Sequence, residues 1–130
     1  NINSMTSQTM KRILVVDDEP DVSLSLKVTL EENGFKVNAF EDPIIALDNF
    51  RKGVYDLLIL DVVMPKIHGF ELYRKIRNMD NEVKICFLTA GQMYYGAYTD
   101  IFTQNTFIRK PIQNQDLMKE INEATDNVTL

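Results

Sequence analysis

Three carboxylates, a hydroxyl and an ammonium stand at the ends of apolar segments of this chain. They belong to Asp17 and Asp18 after ILVV, Asp61 after LLIL, Thr89 after KICFL, and Lys110 after FIR. Acids placed this close together repel one another, and burying them is costly unless a positive charge compensates. Carboxylate oxygens are ligands that Mg²⁺ and Mn²⁺ prefer. If the fold gathers these residues, they form a divalent-metal site with an ammonium and a hydroxyl beside it.

Each acid taken singly has a simpler explanation. An aspartate after a strand commonly caps the following helix, and this explanation suits Asp17 or Asp18. It does not suit Asp61, because the next residues, VVMP, are apolar and start no helix. The only histidine, His68, lies in the loop MPKIHGF, where we expect an exposed polar residue rather than a ligand. Cys86 lies in an apolar run and is expected in the core. Because it is the only cysteine in the sequence, a disulfide framework and a Cys-based zinc site are excluded.

Five short apolar segments alternate with helix-like segments. We predict strands over residues 12–16, 35–40, 56–61, 83–89 and 106–110, the last at an edge of the sheet. The third and fourth are almost entirely apolar, which is typical of strands covered on both faces. Strands alternating with helices predict a parallel sheet with helices on both sides. In such an α/β fold, ligands lie beyond the carboxyl ends of the strands, where all five reactive side chains would stand.

The helices have recognisable start and stop signals. Pro20 and Asn33-Gly34 bracket the first, Asp42-Pro43 and Gly53 bracket the second, Gly69 starts the third, and the last follows Pro111. The segment DVSLSLKVTL (21–30) alternates apolar and polar residues, which alone indicates a strand. We predict a helix because Val22, Leu26 and Leu30 share one helical face, with Leu24 and Val28 left partly exposed.

Composition limits the class of protein. A chain of 130 residues fits one domain, and a net charge of −5 argues against binding nucleic acid through the phosphate backbone. Its apolar runs fall well short of the roughly 20 residues that span a membrane, and no signal segment opens the chain. We therefore expect a cytoplasmic protein. Residues 1–10 are expected to be a disordered terminus or an artificial extension, and residues 11–130 the domain.

The ordered motifs resemble the receiver domain of two-component response regulators, including stand-alone receivers of the chemotaxis type. They are VDDEP after the first strand, LILDVVMPKIHG at the third, LTA at the fourth and RKP at the fifth. The resemblance extends from about Arg12 to Asn127. It implies a flavodoxin-like (βα)5 fold with strand order 2-1-3-4-5, and a phosphorylation switch rather than an enzyme acting on other molecules.

The resemblance assigns roles to the reactive residues. Asp61 would accept a phosphoryl group from a phosphohistidine of a sensor histidine kinase. Mg²⁺, or Mn²⁺, would be held by Asp18, Asp61 and the backbone carbonyl of Val63, with Asp17 acting largely through water. Lys110 would contact the phosphoryl group, and the bond from Lys110 to Pro111 would be a candidate cis peptide.

A switch that reports phosphorylation is also implied. Thr89 would turn its hydroxyl toward a phosphoryl oxygen, and Phe107, three residues before the lysine, would swing inward. An ordinary core role for Phe107 is an equally good interpretation. Thr103 and Gln104 replace a Gly-Ala pair that receivers usually carry. The segment after LTA is rich in aromatic residues, with Tyr94, Tyr95 and Tyr98 beside Met93. These side chains either pack on the sheet or form a surface for a partner or for a homodimer through the fourth and fifth helices.

Three other functions share parts of this pattern. A pseudo-receiver, which docks without being phosphorylated, is the strongest alternative, because reactive residues do not prove turnover. A haloacid-dehalogenase phosphatase would need an Asp-x-Asp pair after its first strand and a cap domain. A flavodoxin would need a hydroxyl-rich phosphate loop where DDEPD stands. The chain would be a stand-alone receiver acting on an unknown downstream protein, or a fragment whose output domain is missing.

Overall fold

The computed structural model describes residues 10–91 and 99–125, and within them five strands alternate with five helices. The elements are β1 (Arg12–Val16), α1 (Pro20–Glu32), β2 (Lys36–Phe40), α2 (Pro43–Asn49), β3 (Leu57–Asp61), α3 (Gly69–Met79), β4 (Lys84–Thr89), α4 (Thr99–Gln104), β5 (Thr106–Arg109) and α5 (Asn114–Ala124). Each observed strand agrees with its predicted range to within one residue at either end. No helix in the described part of the chain is both long and apolar enough to cross a membrane.

The strands form one parallel sheet in the order β2-β1-β3-β4-β5. This order confirms the predicted flavodoxin-like fold and the edge position of β5. In the register of the sheet, Val16 lies opposite Leu60, and Asp61 lies opposite Leu88. The carboxyl ends of β1, β3 and β4 are therefore side by side at one edge of the sheet.

Alternate side chains of the strands enter two separate cores. Leu58, Leu60 and Phe87 pack toward α2, α3 and α4, whereas Leu57 and Ile59 pack toward α1 and α5. All four apolar residues of β3 are fully buried. This explains why LLIL reads as an uninterrupted apolar run, since each face of the strand is covered by helices.

The first helix forms as predicted, in spite of its strand-like alternation. Leu26 and Leu30 are buried against the sheet, whereas Leu24 is 62% exposed and Val28 is 46% exposed. Burial of one helical face thus outweighs the period-two pattern, because most helical stability in proteins comes from tertiary packing.

The predicted end of the second helix was wrong. We expected Gly53 to close it, but α2 ends at Asn49, and Phe50 already has an extended backbone with φ −70° and ψ 137°. The ring of Phe50 is fully buried and stacks on Tyr55 with ring centres 6.0 Å apart. The helix therefore ends where the chain turns and the Phe50 ring enters the core. Gly53 lies in the turn that follows, with φ +80°.

Candidate functional site

The site lies at the carboxyl edge of the sheet, where β1 and β3 run side by side. Asp17 directly follows β1 and is completely buried, and Asp61 ends β3 and is 5% exposed. One carboxylate oxygen from each of Asp17, Glu19 and Asp61 lies within 4.8 Å of the others. The parallel register therefore brings together two predicted site residues and a third acid, Glu19, for which no role was predicted.

Lys110 places one ammonium among these three carboxylates. Its Nζ lies 2.9 Å from Asp17 Oδ2, 2.8 Å from Glu19 Oε1 and 3.4 Å from Asp61 Oδ2. The backbone N–H of Lys110 donates to the carbonyl of Thr89 at 2.7 Å, which ties the residue to the end of β4. The Lys110–Pro111 peptide bond is cis, as the resemblance implied.

The pKa values show that one ammonium does not offset the negative charge of the site. Burial, together with the charge of Asp17, raises the pKa of Asp61 from 3.8 to about 7, although Lys110 acts against this rise. Burial also raises the pKa of Asp17, in spite of a backbone hydrogen bond from Glu19 and the nearby Lys110 ammonium. Burial alone would lower the pKa of Lys110, but its contacts with Glu19 and Asp17 raise it above the ordinary value. The site is therefore short of positive charge.

The donor set fits a small divalent cation. Apart from the ion pair with Lys110, no hydrogen-bond donor among the described residues reaches the buried Oδ2 of Asp17. The atoms of the cluster that could bind a metal are carboxylate oxygens, and such oxygens suit Mg²⁺ and Mn²⁺. A cation of this kind would supply the positive charge that the carboxylates lack.

A pocket of about 260 Å³ opens above Asp61, and most of the other predicted site residues line it. They are Asp18, Val63, Thr89 and Lys110. The neighbouring carboxyl group of Asp18 also contributes to the raised pKa of Asp61. The direct metal contacts predicted for Asp18 and Val63, and the water-mediated one for Asp17, stay predictions.

The two predicted switch residues have other partners in this structure. Thr89 Oγ1 donates to the carbonyl of Gly91 at 3.3 Å. Phe107 is half-buried and stacks on Phe87 with ring centres 5.0 Å apart, while the edge contact to Phe70 measures 6.3 Å. Phe107 therefore belongs to a packed aromatic cluster, and its role as a switch stays a prediction.

The loop after Asp61 is closed tightly by Gly69, which was predicted only as a helix start. Its N–H donates to the carbonyl of Val62 at 2.7 Å. A Cβ atom at this position would lie 2.2 Å from the carbonyl oxygen of Asp61 and 2.8 Å from Val62 Cα. The neighbouring His68 is exposed, as predicted, and its Nδ1 accepts a hydrogen bond from the N–H of Phe70, which caps α3.

Four residues predicted either to pack on the sheet or to form a partner surface lie outside the described residues. They are Met93, Tyr94, Tyr95 and Tyr98. Of the unusual pair that follows, Thr103 and Gln104 are exposed at the end of α4.

Replacing Asp18 by alanine is expected to weaken Mg²⁺ binding about tenfold or more, because even carboxylates that only orient metal ligands change affinity by about 10- to 100-fold. Isothermal titration calorimetry of the wild type and of Asp18→Ala measures this change directly. Asp116→Asn, which neutralises an acid at the start of α5, controls for a general loss of negative charge. Equal Mg²⁺ affinities of Asp18→Ala and the wild type would mean that Asp18 is only part of a helix start.

Comparisons with known proteins agree on one family. A family model described as the response regulator receiver domain matches residues 13–122. The response regulator receiver protein CpdR of Brucella abortus is 32% identical over 113 residues, which cover 86% of this chain and 94% of CpdR. The transcriptional regulatory protein DltR of Streptococcus agalactiae is 29% identical over 120 residues, or 92% of this chain. The chain spans only 54% of the length of DltR.

Solved structures agree with the family match. The response regulator TrrA of Thermotoga maritima, solved in complex with Mg²⁺-BeF, is 36% identical with a TM-score of 0.77, covering 88% of this chain and 99% of that one. A CheY-like receiver domain protein of Methanospirillum hungatei is 26% identical with a TM-score of 0.83, covering 92% and 96% of the two chains.

Proposed function

Because this chain belongs to the response regulator receiver domain family of two-component systems, we propose that Asp61 accepts a phosphoryl group from the phosphohistidine of a sensor histidine kinase. The observation that carries the proposal is the crowding of Asp17, Glu19 and Asp61 around the single ammonium of Lys110. A structural role alone gives no reason to keep so much uncompensated negative charge at the end of a buried strand.

The proposed transfer is a displacement at phosphorus. A carboxylate oxygen of Asp61 forms a bond to phosphorus as the P–N bond of the phosphohistidine breaks, and the imidazole nitrogen keeps the electron pair of that bond. Lys110 offsets negative charge on the phosphoryl oxygens, in keeping with catalysis by positioning and electrostatic stabilisation. Bound Mg²⁺ or Mn²⁺ would neutralise further charge on these oxygens. Water then hydrolyses the acyl phosphate, which releases inorganic phosphate and returns Asp61 to a carboxylate.

The residues proposed to hold the metal are those named from the sequence. Asp18, Asp61 and the backbone carbonyl of Val63 would bind it directly, and Asp17 largely through water. Support for this set comes from the shared pocket above Asp61, which Asp18, Asp61 and Val63 line, and from the completely buried carboxylate of Asp17.

The kinase is proposed to approach along a groove of about 880 Å³ between α1 and the start of α5. Its apolar lining includes Val22, Leu26, Ile112 and Leu117. Four residues border both this groove and the pocket above Asp61, namely Glu19, Ala90, Gly91 and Lys110. A histidine presented over the groove would thus have a short path to the acceptor carboxylate.

The phosphorylated form is proposed to act by changing its protein contacts. Thr89 would leave the carbonyl of Gly91 for a phosphoryl oxygen, and Phe107 would follow it by repacking in the aromatic cluster. The recipient would be a downstream protein in the cytoplasm or an output domain joined to this one. Self-association through the face of α4 and α5 is a further proposal.

The direct test is phosphorylation by acetyl phosphate in the presence of Mg²⁺, followed by intact mass spectrometry. We expect one added phosphoryl group, and none when EDTA removes the metal. Transfer from a phosphorylated histidine kinase domain should give the same product. A folded protein that binds Mg²⁺ but takes no phosphoryl group from either donor would instead support the pseudo-receiver alternative.

A further inference from the structure

The closest contact of the Lys110 ammonium is with Glu19 and not with the acceptor Asp61. Lys110 Nζ lies 2.8 Å from Glu19 Oε1, against 3.4 Å from Asp61 Oδ2. The side chain of Glu19 is 60% exposed, whereas those of Lys110 and Asp61 are 12% and 7% exposed. An acid at the rim of the site therefore holds the cation that the acceptor needs.

Two backbone hydrogen bonds fix Glu19 in place. Its N–H donates to Asp17 Oδ1 at 2.9 Å, and its carbonyl accepts from the N–H of Ser23 at 3.0 Å in the first turn of α1. Only the side chain of Glu19 is then free to change its contacts. Because Glu19 and Lys110 border both the groove and the pocket above Asp61, their ion pair lies where the two cavities meet.

Phosphorylation would change the competition for Lys110. A phosphoryl group on Asp61 adds negative charge and oxygen acceptors on the inner side of the ammonium, and charge-assisted hydrogen bonds to such oxygens are strong. Each contact that Lys110 makes with the phosphoryl group draws it away from the outer carboxylate. The ion pair with Glu19 therefore stabilises the unphosphorylated state more than the phosphorylated one.

We propose that Glu19 is a positioning residue that competes with phosphorylated Asp61 for the Lys110 ammonium and so lowers the stability of the phosphorylated state. This inference rests on the proposed function, since it takes Asp61 as the acceptor. Glu19, the third acid of VDDEP, would thus act against phosphorylation, whereas a metal ligand would support it.

The test is the equilibrium affinity for beryllofluoride, a stand-in for the phosphoryl group, measured by calorimetry in saturating Mg²⁺. Glu19→Gln should bind beryllofluoride about two- to fivefold more tightly than the wild type, since exposed ion pairs are weak. Asp21→Asn is the matched control, because it removes the same charge from the start of α1, and no ion pair to Lys110 is seen for Asp21 in the described part of the chain. Thermal unfolding of both variants checks that they fold.

Each result separates the inference from its alternatives. A gain in beryllofluoride affinity that Asp21→Asn does not share supports competition, and a merely structural role would not produce such a gain. Equal beryllofluoride affinities of Glu19→Gln and Asp21→Asn would overturn the proposed competition for Lys110. A loss of Mg²⁺ affinity in Glu19→Gln of about tenfold would overturn it too and identify Glu19 as a ligand. If the wild type itself bound no beryllofluoride with Mg²⁺, the proposed function would fail first.

Discussion

Asp61→Asn is expected to remain unphosphorylated under conditions in which acetyl phosphate and Mg²⁺ fully modify the wild type. The amide lacks the anionic oxygen that attacks phosphorus, and no neighbouring acid has the same position at the end of β3. Intact mass spectrometry over a time course measures the modified fraction. Asp48→Asn, which changes an exposed acid in α2, should react like the wild type. An unchanged mass shift in Asp61→Asn would show that the acceptor lies elsewhere.

The same variant should be more stable than the wild type at high pH when Mg²⁺ is removed. The folded pKa of Asp61, about 7, exceeds its ordinary value of 3.8, so the folded wild type loses stability as the pH rises between these values. Asparagine does not titrate and escapes this loss. Since one pKa unit corresponds to about 1.4 kcal/mol, the gain above pH 7 is at most about 4 kcal/mol.

Urea unfolding of both proteins at pH 4 and at pH 8 measures the effect. The difference in the free energy of unfolding should be small at pH 4, where the carboxyl group is largely protonated in the folded state, and larger at pH 8. If the two proteins differed in free energy of unfolding by the same amount at pH 4 and at pH 8, ionisation of Asp61 would not contribute to the difference.

Gly69→Ala is expected to destabilise the protein by about 3 kcal/mol or more, because the added methyl group meets backbone atoms that cannot rotate away. The new Cβ would lie 2.2 Å from the carbonyl oxygen of Asp61, so the loop after β3 has to shift. We expect the thermal midpoint to fall by roughly 10 °C. Phosphorylation by acetyl phosphate should also slow, because this shift moves Asp61, the proposed acceptor.

Gly53→Ala provides the matched comparison. No atom lies within 4 Å of a Cβ built at Gly53, but its φ of +80° is unfavourable for alanine. The cost of that conformation is roughly 1 kcal/mol, and it should leave phosphorylation unchanged. Similar losses of stability in the two variants would mean that the loop relieves the steric contact at Gly69 for only about 1 kcal/mol, far less than expected.

The sequence predicts the site well where a residue ends a strand or directly follows one. Asp17, Asp61 and Lys110 could be placed together because parallel strands deliver their carboxyl ends to one edge. Glu19 was missed because its reach depends on the side chain of Lys110, 91 residues away, and no local pattern indicates that contact. The end of α2 was missed for a related reason, since burial of Phe50 is decided by the rest of the core.

The order of the strands divides the site into a fixed and a compliant half. Asp61 ends β3, which is paired along both sides and buried on both faces, and its backbone amides should be among the slowest to exchange with solvent. Lys110 follows β5, which is paired only with β4 and can open at a lower free-energy cost. A phosphoryl group on Asp61 would therefore displace β5, next to Lys110, rather than β3. The structural change would spread toward β5 and α5.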